Sequence, residues 1–208
     1  MNVNNKKLNL AFKNFKETCL SNNKKFIHLD EWLYIESRLF KSELEIKPKI
    51  FVKYNIGDIV KIEYGVGIGS EISNRHFGVV VSSNDNVRND SIIIVPLTSK
   101  PGHGKIMIGF PILEKYVDII NSNFLGMKFL DIDKIKKIKN LIDEIDKVLC
   151  ASYVNVSQIR AISKNRIISI SKNDKLSNYK LSDDKLKLIF KRLDFIFGYW
   201  YFSWQVYQ

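Results

Sequence analysis

The sequence predicts an α+β protein, because helical patterns lie near both ends of the chain and short strand patterns fill the middle. Residues 5 to about 20 place Leu8, Phe12 and Phe15 on one face of a helix. From Val52 the pattern changes to short β-branched runs separated by turns. Several short strands of this kind predict a small barrel or sandwich. A strand-rich core with helical additions is therefore expected.

Two helices are predicted before the strands, over residues 5 to about 20 and over residues 30–40. The second begins with Asp30 and Glu31, whose negative charge suits the positive end of a helix dipole. Both helices are interpreted as packing against the rest of the fold. We place a domain boundary after them, with residues 1–50 as a helical N-terminal extension and residues 51–208 as the strand-rich domain.

The strand-rich domain contains strand patterns and one helical interruption. Strands are predicted over residues 58–64, 77–82, 91–97, 106–110, 152–159 and 166–170. Residues 131–149 repeat Ile and Leu at helical spacing, which predicts an inserted amphipathic helix. Residues 182–204 predict a C-terminal helix that Ser182 caps. Its aromatic residues, from Phe195 to Trp204, are interpreted as core or protein interface rather than as a surface for stacking on nucleic-acid bases.

The charge and cysteine content narrow the function classes. A net charge of +11 and a pI near 9.5 favour a polyanionic partner such as nucleic acid. The sequence lacks a run of roughly eighteen apolar residues and a secretory signal, so a cytoplasmic protein without a membrane span is expected. Cys19 and Cys150 are expected to be free thiols, and neither has a partner at metal-ligand spacing.

A glycine-rich stretch at residues 65–69 is the one superficial cofactor motif. The stretch Gly65-Val66-Gly67-Ile68-Gly69 lacks the following helix that a dinucleotide-binding loop requires. No Gly-Lys-Ser or Gly-Lys-Thr follows it, so it is not a phosphate-binding P-loop either. These glycines are interpreted as a loop that folds over substrate, and no cofactor is predicted.

Three motifs in the strand-rich domain resemble those of the MazF/PemK toxins. The first runs from Gly57-Asp58-Ile59-Val60 through Gly69-Ser70-Glu71 and Arg75 to Asn84-Asp85. The second is Ile94-Val95-Pro96-Leu97-Thr98-Ser99, and the third is Ser157-Gln158-Ile159-Arg160-Ala161-Ile162. They occur in the family's order over about residues 55–170. The resemblance implies a closed SH3-like barrel, usually a homodimer, that cleaves single-stranded RNA without a metal.

The resemblance also implies which residues carry the chemistry. Arg75 matches the catalytic arginine of the family, and Thr98 matches its catalytic threonine. In such enzymes the ribose 2′-OH attacks the adjacent phosphate and leaves a cyclic phosphate and a 5′-OH. A guanidinium suits this reaction, because its planar fork matches two phosphate oxygens. Without the resemblance, Arg75 would be an ordinary loop arginine and Thr98 a strand-end threonine with a local backbone bond.

One residue departs from the family pattern next to the catalytic arginine. The family commonly has proline after that arginine, whereas this chain has His76. An imidazole exchanges protons near neutral pH, and a permanently charged arginine is a poor base. His76 is therefore either a catalytic proton carrier or a structural residue. A strand that starts at Arg75 would point the two side chains to opposite faces.

The remaining candidate residues are polar or basic positions near the motifs. Candidate RNA-binding residues are Ser70, Glu71, Asn74, Lys100, His103, Lys105, Gln158 and Arg160, and each of them also fits an ordinary solvated or structural position. The expected partners are single-stranded RNA, a second copy of the chain and a cognate antitoxin that is a separate molecule. A protein antitoxin is favoured, and a ToxN-like ribonuclease held by RNA is an alternative. A non-catalytic nucleic-acid-binding barrel is the alternative from another class.

Overall fold

The computed structural model of the chain describes residues 4–45, 50–110, 152–168 and 180–198. The predicted inserted helix at residues 131–149 lies outside these ranges, as do Cys150 and the predicted C-terminal helix beyond residue 198. The chain divides into two compact units. Met1–Ile50 with Glu63–Arg75 form what we call the N-terminal unit, and Phe51–Ile62 with His76–Gln208 form the sheet unit.

Among the described residues the fold is α+β, as the sequence predicts. The α-helices are α1 (Asn5–Cys19), α2 (Leu29–Glu43) and α3 (Asp183–Ile196). The strands are β1 (Ile59–Glu63), β2 (Arg75–Val80), β3 (Ser91–Thr98), β4 (Ile106–Gly109), β5 (Ser152–Val154) and β6 (Arg160–Ser163). The predicted positions of α1, α2 and the first four strands are confirmed to within a few residues at each end.

Helix α1 lies at the surface of the N-terminal unit and contacts α2. It begins where the Asn4 side chain accepts a hydrogen bond from the backbone N–H of Lys7 at 3.0 Å, which satisfies an otherwise unpaired donor. The predicted packing of its apolar face is wrong for Leu8, Phe12 and Phe15, all of which remain exposed. Amphipathic spacing identified the helix, but α1 contains no buried residue.

Helix α2 is anchored within the same unit by Leu29 and Trp32, both of which are buried. Gly65, in the turn after β1, lies directly against the Trp32 indole. A Cβ at Gly65 would come within 2.3 Å of Trp32 Cε2, and the backbone φ of +76° also favours glycine there. The predicted packing of α2 is therefore confirmed.

The strands form an antiparallel sheet in the order β1-β2-β3-β5-β4, and β6 also pairs with β3. Strand β3 is central. It pairs with β2 through Gly78↔Pro96, with β6 through Ile94↔Arg160 and with β5 through Leu97↔Val154. In addition to these pairs, an isolated antiparallel bridge joins Ile62 of β1 to Ile167. Closure of the sheet into a barrel stays a prediction.

The core of the sheet unit lies between the sheet and α3. Its fully buried side chains include Val79, Val95, Val154 and Ile189. The N-terminal end of α3 carries Asp183 and Asp184 in its first turn, as a helix dipole favours. The predicted C-terminal helix is confirmed up to Ile196, and Ser182 occupies its N-cap position but makes no side-chain capping hydrogen bond. In the described part of its aromatic tail, Phe195 and Phe197 remain exposed.

The predicted strand at residues 152–159 is wrong in its second half. Between the pairs Leu97↔Val154 and Ile94↔Arg160, β3 advances three residues while its partner chain advances six. The three additional residues are taken up around a 3-10 turn, Val156–Gln158, whose Val156 is fully buried. The predicted strand thus ends at Val154, and β6, which follows the turn, was not predicted.

The strand predicted over residues 166–170 is also wrong where the structure describes it. A 3-10 turn, Lys164–Arg166, follows β6, and the Ser163 hydroxyl accepts a hydrogen bond from the Asn165 N–H at 3.3 Å. Only Ile167 makes a strand-like bridge. The turn places the ammonium group of Lys164 in the protein interior, which an extended strand pattern did not anticipate.

Candidate functional site

Arg75, the first residue of β2, is held by two carboxylates within the N-terminal unit. Its Nε donates to Glu63 Oε2 and its Nη2 donates to Glu31 Oε1, each at 2.7 Å. The Arg75 side chain is 48% exposed, so these contacts lie at the surface. Hydrogen bonds to Glu63 and then to Glu31 raise the pKa of Arg75 further above its ordinary value. The guanidinium is therefore a permanent cation.

A small cavity opens beside this guanidinium. It has a volume of about 230 Å³, and its lining residues are His28, Glu31, Trp32, Ile35, Glu63, Asn74 and Arg75. His28 Nδ1 lies 4.0 Å from Glu31 Oε2. Helix α2 supplies one side of the cavity, and the hairpin between β1 and β2 supplies the other. A cation, two carboxylates, an imidazole and an amide thus line a space large enough for a phosphate group.

The loop that precedes Arg75 is closed by its own backbone hydrogen bonds. Tyr64 N donates to Asn74 O at 3.1 Å, and Asn74 N donates to Gly65 O at 2.6 Å. Asn74 adopts a φ of +66°, a left-handed conformation that asparagine tolerates better than most residues. Asn74 is one of the residues that line the cavity, so the turn places both Asn74 and Arg75 at the candidate site.

Two other predicted RNA-binding residues occupy the tip of the same loop. Ser70 and Glu71 are both exposed. Glu71 Oε2 accepts a hydrogen bond from the backbone N–H of Ile68 at 3.2 Å, and Lys25 donates to Gly69 O at 2.6 Å. The loop tip is therefore connected to the segment that precedes α2. Ser70, Glu71, Asn74 and Arg75 all belong to the N-terminal unit.

In the sheet unit, Thr98 is the last residue of β3 and is partly buried. Its Oγ1 accepts a hydrogen bond from Lys100 N at 3.2 Å, so the local backbone bond expected for a strand-end threonine is present. His76, also partly buried, is the first residue of the sheet unit in β2. Extending the register from Gly78↔Pro96 by two residues would set His76 opposite Thr98, on the same face of the sheet.

The other predicted RNA-binding residues of the sheet unit lie in two separate segments. Lys100 and His103 are exposed in the loop between β3 and β4, where Lys105 donates to Lys100 O at 3.0 Å. Gln158 ends the 3-10 turn before β6, and Arg160 is the first residue of β6; both are partly buried. Arg160 pairs with Ile94 at the centre of β3.

Sequence reasoning missed the partners of Arg75. Glu63 is 12 residues and Glu31 is 44 residues away from Arg75 along the chain. Glu31 was explained by its favourable place in the first turn of a helix. Glu63 was explained by its place in the strand predicted over residues 58–64. The only available signal for Glu63 was its position on the strand that pairs with the strand of Arg75.

A second ion pair was also missed, deep in the sheet unit. Lys164 Nζ lies 2.8 Å from Asp85 Oδ2, and the two side chains are 3% and 1% exposed. The backbone N–H of Tyr54 donates to the same carboxylate oxygen at 2.8 Å, and Lys164 also donates to Asn86 O at 3.1 Å. Burial raises the pKa of Asp85 and is the largest single influence on it, but the hydrogen bonds with Lys164, Tyr54 and Asn86 and the charge of Lys164 together outweigh it, so the net shift is downward.

The comparisons with known proteins bear on this geometry. The profile of a family described as the PemK-like, MazF-like toxin of type II toxin-antitoxin systems matches residues 55–197. The chain belongs to this family. The matched segment begins before β1 and ends just after α3, so α1 and α2 of this PemK-like toxin precede the matched segment. No individual curated protein matches the chain.

Membership of the PemK-like, MazF-like family has direct consequences. A toxin of a type II system has an antitoxin as its partner.

In the part of the chain that the structure describes, no helix is both long enough and apolar enough to cross a membrane. Within the same ranges, no three His, Cys, Asp or Glu side chains cluster in a way that could hold a metal ion.

Proposed function

We propose that this toxin is an endoribonuclease that cleaves single-stranded RNA, including mRNA, by a metal-independent reaction. The family match over residues 55–197 carries this proposal, because toxins of this family are generally endoribonucleases. Arg75 and Thr98 occupy the positions of the family's catalytic arginine and threonine. Growth arrest would follow from mRNA cleavage when the antitoxin is absent.

In the proposed reaction, the ribose 2′-OH attacks the adjacent phosphorus and the bond to the 5′-oxygen of the next nucleotide breaks. The products are a 2′,3′-cyclic phosphate and a 5′-OH. Arg75 stabilises the negative charge that builds on the phosphate oxygens, and its raised pKa keeps it charged throughout. The Thr98 hydroxyl donates a hydrogen bond to the same phosphate.

The reaction also needs a group that moves a proton, and His76 is the proposed candidate. An arginine that stays charged cannot accept the 2′-OH proton. The extended register of β2 and β3 supports a position for His76 opposite Thr98. Because β2 begins at Arg75, alternation points the Arg75 and His76 side chains to opposite faces of the strand, so the proposal requires the long Arg75 side chain to reach the phosphate around the end of the strand. In this proposal His76 accepts the 2′-OH proton and returns a proton to the departing 5′-oxygen.

Substrate binding is proposed to involve polar and basic residues near the family motifs. Ser70, Glu71, Asn74, Lys100, His103, Gln158 and Arg160 are the proposed RNA contacts. The net charge of +11 supports salt-dependent attraction to the RNA backbone. We further propose a cytoplasmic homodimer with a closed barrel and a separate antitoxin that is a protein rather than an RNA. The Ile62↔Ile167 bridge supports closure, because it links β1 to the chain that follows β6.

Mapping RNA ends in the presence of EDTA tests the proposal. Purified toxin should cut a mixed RNA pool with EDTA present and leave 2′,3′-cyclic phosphate and 5′-OH ends. Arg75→Ala should lower the cleavage rate by about 10²–10³-fold, the range for loss of one group that stabilises transition-state charge. Arg88→Ala is the matched control, since it removes one positive charge from an exposed loop.

Three outcomes separate the alternatives. Cleavage that survives Arg75→Ala as well as it survives Arg88→Ala would remove Arg75 from the mechanism. Cleavage that EDTA abolishes would contradict the metal-independent reaction. RNA binding by the wild type without any cleavage would identify a non-catalytic nucleic-acid-binding protein instead.

A further inference from the structure

The charge around Arg75 is unusual for a phosphate-binding group. Two carboxylates, Glu63 and Glu31, face one guanidinium at 2.7 Å. They occupy Nε and Nη2, which together form one edge of the planar fork. An RNA phosphate approaching this edge would meet two negative groups and one positive group. One carboxylate must therefore leave before a phosphate can bind there.

The two carboxylates differ in how readily they can leave. The Glu63 side chain is 12% exposed and lies on β1, the strand next to the one that Arg75 starts. The Glu31 side chain is 51% exposed and projects from the first turn of α2. A half-exposed carboxylate keeps most of its hydration when its ion pair breaks, whereas a mostly buried one does not. Glu31 is therefore the exchangeable partner.

We propose that Glu31 occupies the phosphate-binding edge of Arg75 when no RNA is bound, and that the RNA phosphate displaces it. Helix α2, which precedes the family-matched segment, thereby acts as a built-in competitor of the substrate. This inference rests on the proposed ribonuclease function. It assigns the glutamates separate tasks: Glu63 is a positioning residue that holds Arg75 in both states, and Glu31 is a phosphate mimic that leaves.

Two further contacts keep Glu31 near Arg75 after it has been displaced. Trp32, the next residue of α2, packs directly on Gly65. Lys25, just before α2, donates to Gly69 O at 2.6 Å. Both contacts join the α2 region to the hairpin that carries Arg75. Glu31 therefore competes with substrate as a tethered group, at an effective concentration that dilution of the protein does not change.

The expected size of the effect follows from the exposure of the pair. A solvent-exposed ion pair contributes little, so its loss should change substrate capture by roughly two- to fivefold. Glu31→Gln should raise kcat/KM for RNA cleavage by that factor. Asp30→Asn is the matched control, because Asp30 lies in the same first turn and its loss weakens the same helix-dipole interaction. The control should leave kcat/KM at the wild-type value.

A second measurement reports on Arg75 without any RNA. The reaction of Arg75 with an arginine-selective dicarbonyl reagent can be followed by mass spectrometry of the peptide that contains it. Glu31→Gln should accelerate this reaction relative to both wild type and Asp30→Asn, because Nη2 of the guanidinium becomes accessible.

The outcomes distinguish this inference from the proposed function. Equal dicarbonyl rates in Glu31→Gln and Asp30→Asn would show that Glu31 does not cover Arg75, and would overturn the inference even in an active ribonuclease. A fall in kcat/KM for Glu31→Gln would also overturn it, by making Glu31 an assisting group. Absence of cleavage in every protein would instead reject the ribonuclease proposal, while the dicarbonyl rates would still test the contact.

Discussion

The two units each contain a basic residue paired with carboxylate, in opposite surroundings. In the N-terminal unit, Arg75 is half exposed and divides its donors between Glu63 and Glu31. In the sheet unit, Lys164 and Asp85 are almost wholly buried, at 2.8 Å. Both contacts are short, so distance does not distinguish them. Solvent exposure does.

Burial determines what each pair can do. Separating Lys164 from Asp85 would leave a charge without a partner in the protein interior, so this pair must stay closed in the folded state. Separating Arg75 from Glu31 returns both groups to water at small cost, so this pair can open for a ligand. A short ion pair therefore indicates a structural anchor in one unit and an exchangeable contact in the other.

The largest effect on stability is expected when the buried pair of Lys164 and Asp85 is broken. Asp85→Asn should lower the free energy of unfolding by about 3–5 kcal/mol, because the ammonium group of Lys164 would remain buried without its carboxylate. Urea denaturation of the full chain, followed by circular dichroism, measures the loss. Glu31→Gln is the comparison from the exposed pair and should cost no more than about 1 kcal/mol.

The double variant Asp85→Asn, Lys164→Met sharpens this test. Removing the charge as well as its partner should recover much of the lost stability, since neither variant residue is then a buried ion. A double variant that is less stable than Asp85→Asn would show that Lys164 acts mainly through its contacts with the Asn86 carbonyl and the nearby Phe51 and Tyr54 rings.

A smaller effect is expected for the group that transfers the proton in RNA cleavage, because the permanently charged Arg75 cannot accept it. His76→Ala should lower kcat for RNA cleavage by on the order of 10²-fold, if His76 transfers the proton. His76→Gln should lose a similar amount, because an amide forms hydrogen bonds but does not exchange protons. A change of only a few-fold in His76→Ala, measured in single-turnover assays, would make His76 a structural residue.

The smallest expected effect is the response of the buried pair to acid. The pKa of Asp85 lies below its ordinary value in the folded protein, so the folded state binds the proton less tightly than the unfolded state. The stability from this group is present above about pH 4 and is lost as the pH falls through the folded pKa. Chemical denaturation at a series of acidic pH values should show this loss in the wild type. Asp85→Asn should show a weaker dependence over the same window.

The sequence was informative where a pattern is local. The β-branched run of β3 predicted a strand over residues 91–97, and the structure has Ser91–Thr98. The family motifs likewise lie in continuous stretches. The break between β5 and β6 was not predictable in this way, because Val156 is apolar in a strand and apolar in a buried turn. Only pairing with β3 decides between them.

Contacts between distant residues were the main omission. Nothing local to Glu31 distinguishes it from Asp30, its neighbour in the first turn of α2, yet only Glu31 reaches Arg75. Asp85 ends the first family motif, and Lys164 follows the third. The two residues are far apart in the sequence and meet only in the folded sheet unit. The sequence thus located Arg75 and Thr98 as candidates but not the two carboxylates that pair with Arg75.

The surroundings of Lys164 bear on how this protein should be shortened for experiments. Its ammonium group lies 5.9 Å from the centroid of the Phe51 ring and 5.8 Å from that of Tyr54. Both residues precede position 55, where the family match starts. A fragment cut at position 55 would discard both aromatic rings and the Tyr54 amide that donates to Asp85. Fragments intended for crystallisation or NMR should therefore retain Phe51.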